Sequence, residues 1–92
     1  MEITRDLLNI AETLDRIMTT DVAGRGSISL MYDAARKKTG EPLALTAAKA
    51  LADKVKRGDF VFILTGFLVR TQFTAEAAET DGPPGAAILA RA

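Results

Sequence analysis

The chain contains no cysteine and no histidine. Their absence excludes disulfides, thiolate nucleophiles, zinc sites of the usual Cys/His type and histidine-based acid–base catalysis. Any chemistry must therefore rest on carboxylates and on Lys, Arg, Tyr, Ser and Thr side chains. We assign no residue as a metal ligand, and the residue types leave the cofactor unknown.

The chain also lacks an excess of either charge, because twelve basic residues balance twelve acidic ones. This balance removes the broad attraction on which nonspecific binding to nucleic acids and anionic membranes depends. No apolar run approaches the roughly 18 residues of a membrane span, and the N-terminus lacks a basic, then apolar, leader. We therefore expect a cytoplasmic protein that binds neither nucleic acid nor membranes.

The chain has 92 residues, and 48% of them are hydrophobic. Three amphipathic helices are predicted in its first part. In residues 3–18 apolar side chains recur every three or four positions, as on one face of a helix. The second helix is expected to be capped by Ser27 and to stop at Gly40. The third is expected to open at Thr46 or a neighbour and to end in a basic stretch.

A buried strand is predicted at residues 60–65, a continuous apolar run of β-branched and aromatic residues that ends before Gly66. Runs of this kind are typical of parallel sheets covered on both faces. A final helix is predicted to start within residues 82–85, where two prolines lie between two glycines. The predicted fold class is α/β, with N-terminal helices followed by one strand of a parallel, Rossmann-like sheet.

The predicted sheet is incomplete. A strand buried on both faces needs hydrogen-bonding neighbours, and no second strand is predicted to supply them. We therefore expect residues 1–92 to be the N-terminal part of a single α/β domain whose sheet is completed by later sequence. The alternative is a homo-oligomer in which copies of the chain pair their strands.

The first candidate binding site lies between the predicted strand and the last helix. Ligands of open α/β sheets collect beyond the carboxyl ends of the strands. A helix opening at Pro83 or Pro84 offers backbone N–H groups and a positive dipole end to a carboxylate or phosphate, and Gly82 and Gly85 permit close approach. This stretch therefore predicts an anion site.

The same loop carries two carboxylates on either side of a hydroxyl, at Glu79, Thr80 and Asp81. Such a group can bind an ammonium ion, hold a divalent cation or move a proton. The alternative is structural, with Thr80 or Asp81 capping the helix and Glu79 in solvent.

The second candidate site is the loop at residues 21–26, in which Arg25 stands between Gly24 and Gly26. Flanking glycines let the backbone curl around an anion, and a guanidinium presents a planar fork to a carboxylate. The loop lacks the full phosphate-loop motif and does not follow a strand. A structural turn with a solvated arginine is the alternative.

Three motifs together resemble the opening part of the D-glutamate cyclase family. They are Asp21-Val22-Ala23-Gly24-Arg25-Gly26, the strand end Thr65-Gly66-Phe67, and Glu79-Thr80-Asp81-Gly82-Pro83-Pro84-Gly85-Ala86. The resemblance implies a lyase, specifically a hydro-lyase, that converts D-glutamate to 5-oxo-D-proline and water. It also implies that this chain, as a portion of the domain, is inactive by itself.

The resemblance implies roles for nine residues. The proposed acid–base residues are Glu79 and Asp81, and the proposed substrate-binding residues are Asp21, Arg25, Thr65, Gly66, Thr80, Gly82 and Gly85. Two other functions stay open. One is a non-catalytic module that binds small carboxylates or a partner, and the other is an α/β enzyme acting on phosphates or nucleotides. The absence of a lysine-bearing phosphate loop counts against the second.

Overall fold

The computed structural model describes residues 1–66 and 82–91. The chain divides into two units, Met1–Asp59 and Phe60–Ala92. The first unit holds three α-helices: α1 at Arg5–Met18, α2 at Ser27–Thr39 and α3 at Leu43–Lys54. The second unit holds α4 at Gly82–Arg91. No helix in these described ranges is both long and apolar enough to cross a membrane.

The predicted strand is wrong, and with it the α/β, Rossmann-like fold class. All regular structure in residues 1–66 and 82–91 is helical. Phe60, Phe62 and Leu64 are 90%, 88% and 94% exposed, so this segment is not the doubly covered strand that its composition predicts. The physical reason is the missing neighbour, since a strand exists only when another backbone accepts and donates its hydrogen bonds.

The predicted helix boundaries are partly confirmed: α1 ends at Met18, as predicted, but begins at Arg5 rather than at Ile3. Thr4 caps α1, because its hydroxyl accepts the Leu7 N–H at 3.1 Å. Gly40 ends α2 in the left-handed conformation, as predicted. Ser27 does not cap α2: it is the first helical residue, and Gly26 occupies the cap position at a φ of 81°.

The third helix starts earlier than predicted because a side chain from α1 caps it. It begins at Leu43 rather than near Thr46, and Pro42 at the cap position has no side chain that can accept a hydrogen bond. The Asp15 carboxylate replaces that cap, accepting the N–H groups of Leu43 at 2.7 Å and Ala44 at 2.8 Å. The first N–H groups of α3, for which the local sequence offers no cap, therefore find their acceptor on α1.

Asp15 joins all three helices of the first unit and is only 1% exposed. Besides the two N–H groups of α3, its carboxylate accepts the Tyr32 hydroxyl of α2 at 2.7 Å. Arg36, also on α2, pairs through both guanidinium nitrogens with Glu12 of α1 at 2.6 and 3.0 Å. Burial by itself would raise the pKa of Asp15, but the hydrogen bonds from Tyr32 and the two amides hold it below its usual value.

Acid is expected to destabilise the first unit. Hydrogen bonding to Arg36 lowers the pKa of Glu12, hydrogen bonding to Lys49 lowers that of Glu41, and the pKa of Asp15 is also lowered. A carboxyl whose folded pKa is depressed contributes stability above its unfolded pKa, and that stability is lost as the pH falls through the folded value.

The thermal midpoint, followed by circular dichroism, should therefore stay level from about pH 8 to pH 6 and fall steadily below about pH 4, near the ordinary carboxyl pKa. An unchanged midpoint between neutral and strongly acidic solution would contradict the assignment of these three carboxylates to the fold.

Candidate functional site

The candidate site in the second unit is built on the first turn of α4. This helix starts at Gly82, so Pro83 and Pro84 occupy its next two positions. The first N–H groups of a helix have no partner within the helix, but proline has no N–H to offer. Of residues 82–84, Gly82 alone supplies a donor, which is fewer than the sequence led us to expect. Binding an anion here therefore requires donors from outside the helix.

Thr65 and Gly66 lie directly against Gly82. A Cβ atom placed on Gly82 would overlap Thr65 Oγ1 and would stand 3.7 Å from the Gly66 nitrogen. Gly66 has a φ of 112°, a conformation that residues with a Cβ rarely adopt. The structure thus brings together three of the predicted substrate-binding residues, and we call Thr65, Gly66 and Gly82 the glycine corner.

The glycine corner gathers hydrogen-bond donors beside the positive end of a helix. It contains the Thr65 hydroxyl and the backbone N–H groups of Gly66 and Gly82. Uncharged hydrogen-bond donors next to a helix N-terminus suit one carboxylate or one phosphate group. The corner has no ionisable side chain of its own, so it can hold and orient an anion but cannot transfer a proton to a substrate as a general acid or base.

The remaining predicted residues of this loop divide into two groups. Glu79, Thr80 and Asp81 lie outside the described residues, and their acid–base and binding roles stay predictions. Gly85 is described, and a Cβ added to it would meet no atom within 4 Å in the described part of the chain. Close approach of backbone, the reason for selecting glycine there, is therefore found at Gly82 and not at Gly85.

The loop at residues 21–26 belongs to the first unit and is closed by its own aspartate. The Asp21 carboxylate accepts the Gly26 N–H at 2.6 Å, and the Asp21 carbonyl accepts the Gly24 N–H at 3.1 Å. Gly24 and Gly26 have φ values of 67° and 81°, in the left-handed region that glycine favours. These contacts give Asp21 and the glycines a structural role, while Arg25 is exposed. Substrate binding by Asp21 and Arg25 stays a prediction.

Sequence reasoning missed Asp15, the most constrained carboxylate among the described residues. Its three accepted hydrogen bonds come from groups of the fold itself, so it is a structural residue and not a candidate for catalysis. Within residues 1–66 and 82–91 no group of three or more acidic side chains is arranged to hold a metal ion.

Comparison with known proteins gives a family. A family model described as "D-glutamate cyclase-like, C-terminal" matches residues 14–92, which include the loop at residues 21–26, the glycine corner and the predicted acid–base pair. The resemblance drawn from the three motifs is thereby confirmed. The chain matches no curated protein and no solved structure.

Proposed function

Because the chain belongs to the D-glutamate cyclase-like family, we propose that it takes part in converting D-glutamate to 5-oxo-D-proline and water. The observation that carries this proposal is the glycine corner, which lies inside the matched residues and brings together three residues that each carry a hydrogen-bond donor. D-Glutamate has two carboxylates, and cyclisation changes only one of them. A fixed set of donors suits the one that stays charged throughout.

We assign the glycine corner to the α-carboxylate of the substrate. Thr65 donates through its hydroxyl, Gly66 and Gly82 donate through backbone N–H groups, and the dipole of α4 favours the negative charge. Anchoring the α-carboxylate fixes the neighbouring amine. The γ-carboxyl can then fold back toward that amine, and holding the two groups together removes much of the entropic cost of ring closure.

The chemical step forms one bond and breaks another. The α-ammonium group loses one proton to become the amine that attacks the γ-carboxyl carbon, and it loses a second as the amide forms. A C–N bond forms, one C–O bond breaks, and the departing oxygen takes up two protons and leaves as water. Asp81 directly precedes Gly82, and Glu79 lies two residues earlier. We propose these carboxylates as the base for the ammonium group and the acid for the departing oxygen.

The test is direct observation of 5-oxoproline by proton NMR, using the intact protein that carries this sequence with D-glutamate and, separately, with L-glutamate. We expect product from D-glutamate well above the spontaneous rate. Replacing both carboxylates, Glu79→Gln with Asp81→Asn, should lower that rate by at least about a hundredfold, the contribution typical of general acid–base catalysis.

Two results would count against this function. If the double substitution leaves cyclisation unchanged, the acid–base assignment is wrong. If the folded protein binds D-glutamate and never cyclises it, the chain is a module that binds small carboxylates rather than part of a cyclase.

A further inference from the structure

One face of α1 is apolar and is exposed in the part of the chain that the structure describes. Its side chains recur in alternating steps of four and three residues, the repeat by which helices pack along one another. They are Leu7, Ile10, Leu14 and Ile17, with Ile3 just before the helix, and all but Leu7 are between 42% and 65% exposed. A stripe of this regularity is a surface for packing another helix.

The stripe continues into a groove between α1 and α3. Leu7, Ile10 and Leu14 form one wall of this groove, and Ala44 and Ala48 form the other. The α3 side extends along exposed Leu51 and Val55. Alanines leave room for a further helix to approach closely, and the larger side chains of α1 supply the apolar area.

The second helix leaves this groove open. Its contacts with α1 run through Tyr32 and Arg36, which reach Asp15 and Glu12. On the helical repeat of α1, Glu12 and Asp15 stand on a different face from Ile10 and Ile17. The apolar groove is therefore on the side of the α1/α3 pair that α2 does not cover.

The two walls of the groove run in opposite directions. Asp15, near the end of α1, caps the start of α3, while Leu7 near the start of α1 shares the groove with Ala48, further along α3. At the rise of about 1.5 Å per residue, the level of Asp6 along α1 falls beside the last turn of α3, which contains Lys54.

We propose that a second copy of this chain occupies the groove, so that α1 and α3 of both copies form an antiparallel four-helix bundle around a twofold axis parallel to the helices. Each helix then has an antiparallel neighbour on either side. The same surface serves both copies, as a twofold interface requires.

Charge complementarity at the rim favours this occupant. Asp6 lies one helical step of four before Ile10 and is the acidic border of the α1 stripe. Lys54 lies next to Leu51 and is the basic border of α3. In the proposed bundle Asp6 of each copy faces Lys54 of the other, at the same level. Within one copy the described residues form three salt bridges, none of which involves Asp6 or Lys54.

The available area agrees with a specific but modest dimer. Covering the stripe and the exposed part of α3 would bury on the order of 600 Å² per copy, the lower end for specific interfaces. Two copies do not repel each other through net charge, because that charge is zero. We expect a dimer that dissociates on dilution.

The test is sedimentation equilibrium of the intact chain and matched variants. Ile10→Glu places a charge in the middle of the stripe, and Asn9→Glu places the same charge on the neighbouring polar face. Ile10 is 56% exposed within one copy, so helical circular dichroism should be retained in both. We expect Ile10→Glu to weaken association by at least about a hundredfold and Asn9→Glu by less than about threefold.

Charge reversal tests the rim contact. Asp6→Lys and Lys54→Asp should each weaken the dimer, and the double variant should recover at least half of the combined loss on a logarithmic scale. Four results would overturn the proposal: a monomer at every concentration, equal effects of Ile10→Glu and Asn9→Glu, no recovery in the double variant, or a monomer whose thermal midpoint drops on Ile10→Glu. The last would show that the groove is covered within one chain.

Discussion

Replacing Asp15 with alanine is expected to lower the free energy of unfolding of the first unit by about 3 kcal/mol. The substitution removes the carboxylate that accepts three buried hydrogen bonds. The substitution leaves the Tyr32 hydroxyl and the first N–H groups of α3 without their partner. Small helical units have little stability in reserve, so much of the population should unfold at 25 °C. Urea titration followed by circular dichroism at 222 nm measures the loss.

Two further variants separate the network from the loss of a carboxylate in general. Asp33→Ala removes an exposed carboxylate from α2 and should change the free energy of unfolding by less than about 0.5 kcal/mol. Tyr32→Phe removes one of the hydrogen bonds to Asp15 and should cost about 1 kcal/mol. Equal losses for Asp15→Ala and Asp33→Ala would show that the Asp15 network does not hold the three helices together.

The second large effect is expected at Gly82. Gly82→Ala adds a methyl group that would overlap Thr65 Oγ1, so the Thr65 hydroxyl must move away from its position in the glycine corner. We expect D-glutamate to bind at least about tenfold more weakly, a loss of roughly 1.4 kcal/mol. Titration with D-glutamate followed by the amide signals of the protein in nitrogen-15 NMR measures both affinity and location.

Gly85→Ala is the comparison for this substitution, because it adds the same methyl group to α4 where no described atom stands within 4 Å. Alanine favours a helix over glycine by up to about 1 kcal/mol, so neither variant should lose α4. We expect Gly85→Ala to weaken binding much less than Gly82→Ala. Similar losses at the two positions would remove close packing against Thr65 as the explanation.

Local features of the sequence were enough to predict the helices. The apolar repeat of α1, the left-handed stop at Gly40 and the proline-rich start of α4 each act over a few residues, and the structure confirms them. The family could be predicted for the same reason, because its motifs are short and contiguous and the match covers them.

The errors arose where partners distant in sequence decide the outcome. Residues 60–65 have the composition of a buried strand, but composition cannot supply a neighbouring backbone. The start of α3 was placed too late because its cap is Asp15, 28 residues before Leu43. Asp15 follows Ala11 by one helical step of four, so both lie on the buried side of α1. A carboxylate on an otherwise apolar, buried helix face is the feature of the sequence that indicates a structural role for Asp15.

The candidate site was predictable in its residue types and less so in its geometry. The sequence predicts a binding site between a strand that ends at Thr65 and Gly66 and a helix that starts at Gly82. These three residues lie side by side in the structure, although residues 60–65 form no strand. The loss of N–H groups at Pro83 and Pro84 follows from the sequence once the helix start is known. Asp21 and Arg25 belong to the other unit, and substrate binding by them stays a prediction.

Titration of the unsubstituted protein with D-glutamate, followed by nitrogen-15 NMR, tests the central claim most directly. The account predicts saturable shifts at the backbone amides of Gly66 and Gly82, larger than those across α1 and α2, together with weaker binding of glutamate analogues that lack the α-carboxylate. Saturable binding of D-glutamate with no response at Gly66 or Gly82 would contradict the assignment of the glycine corner to the substrate.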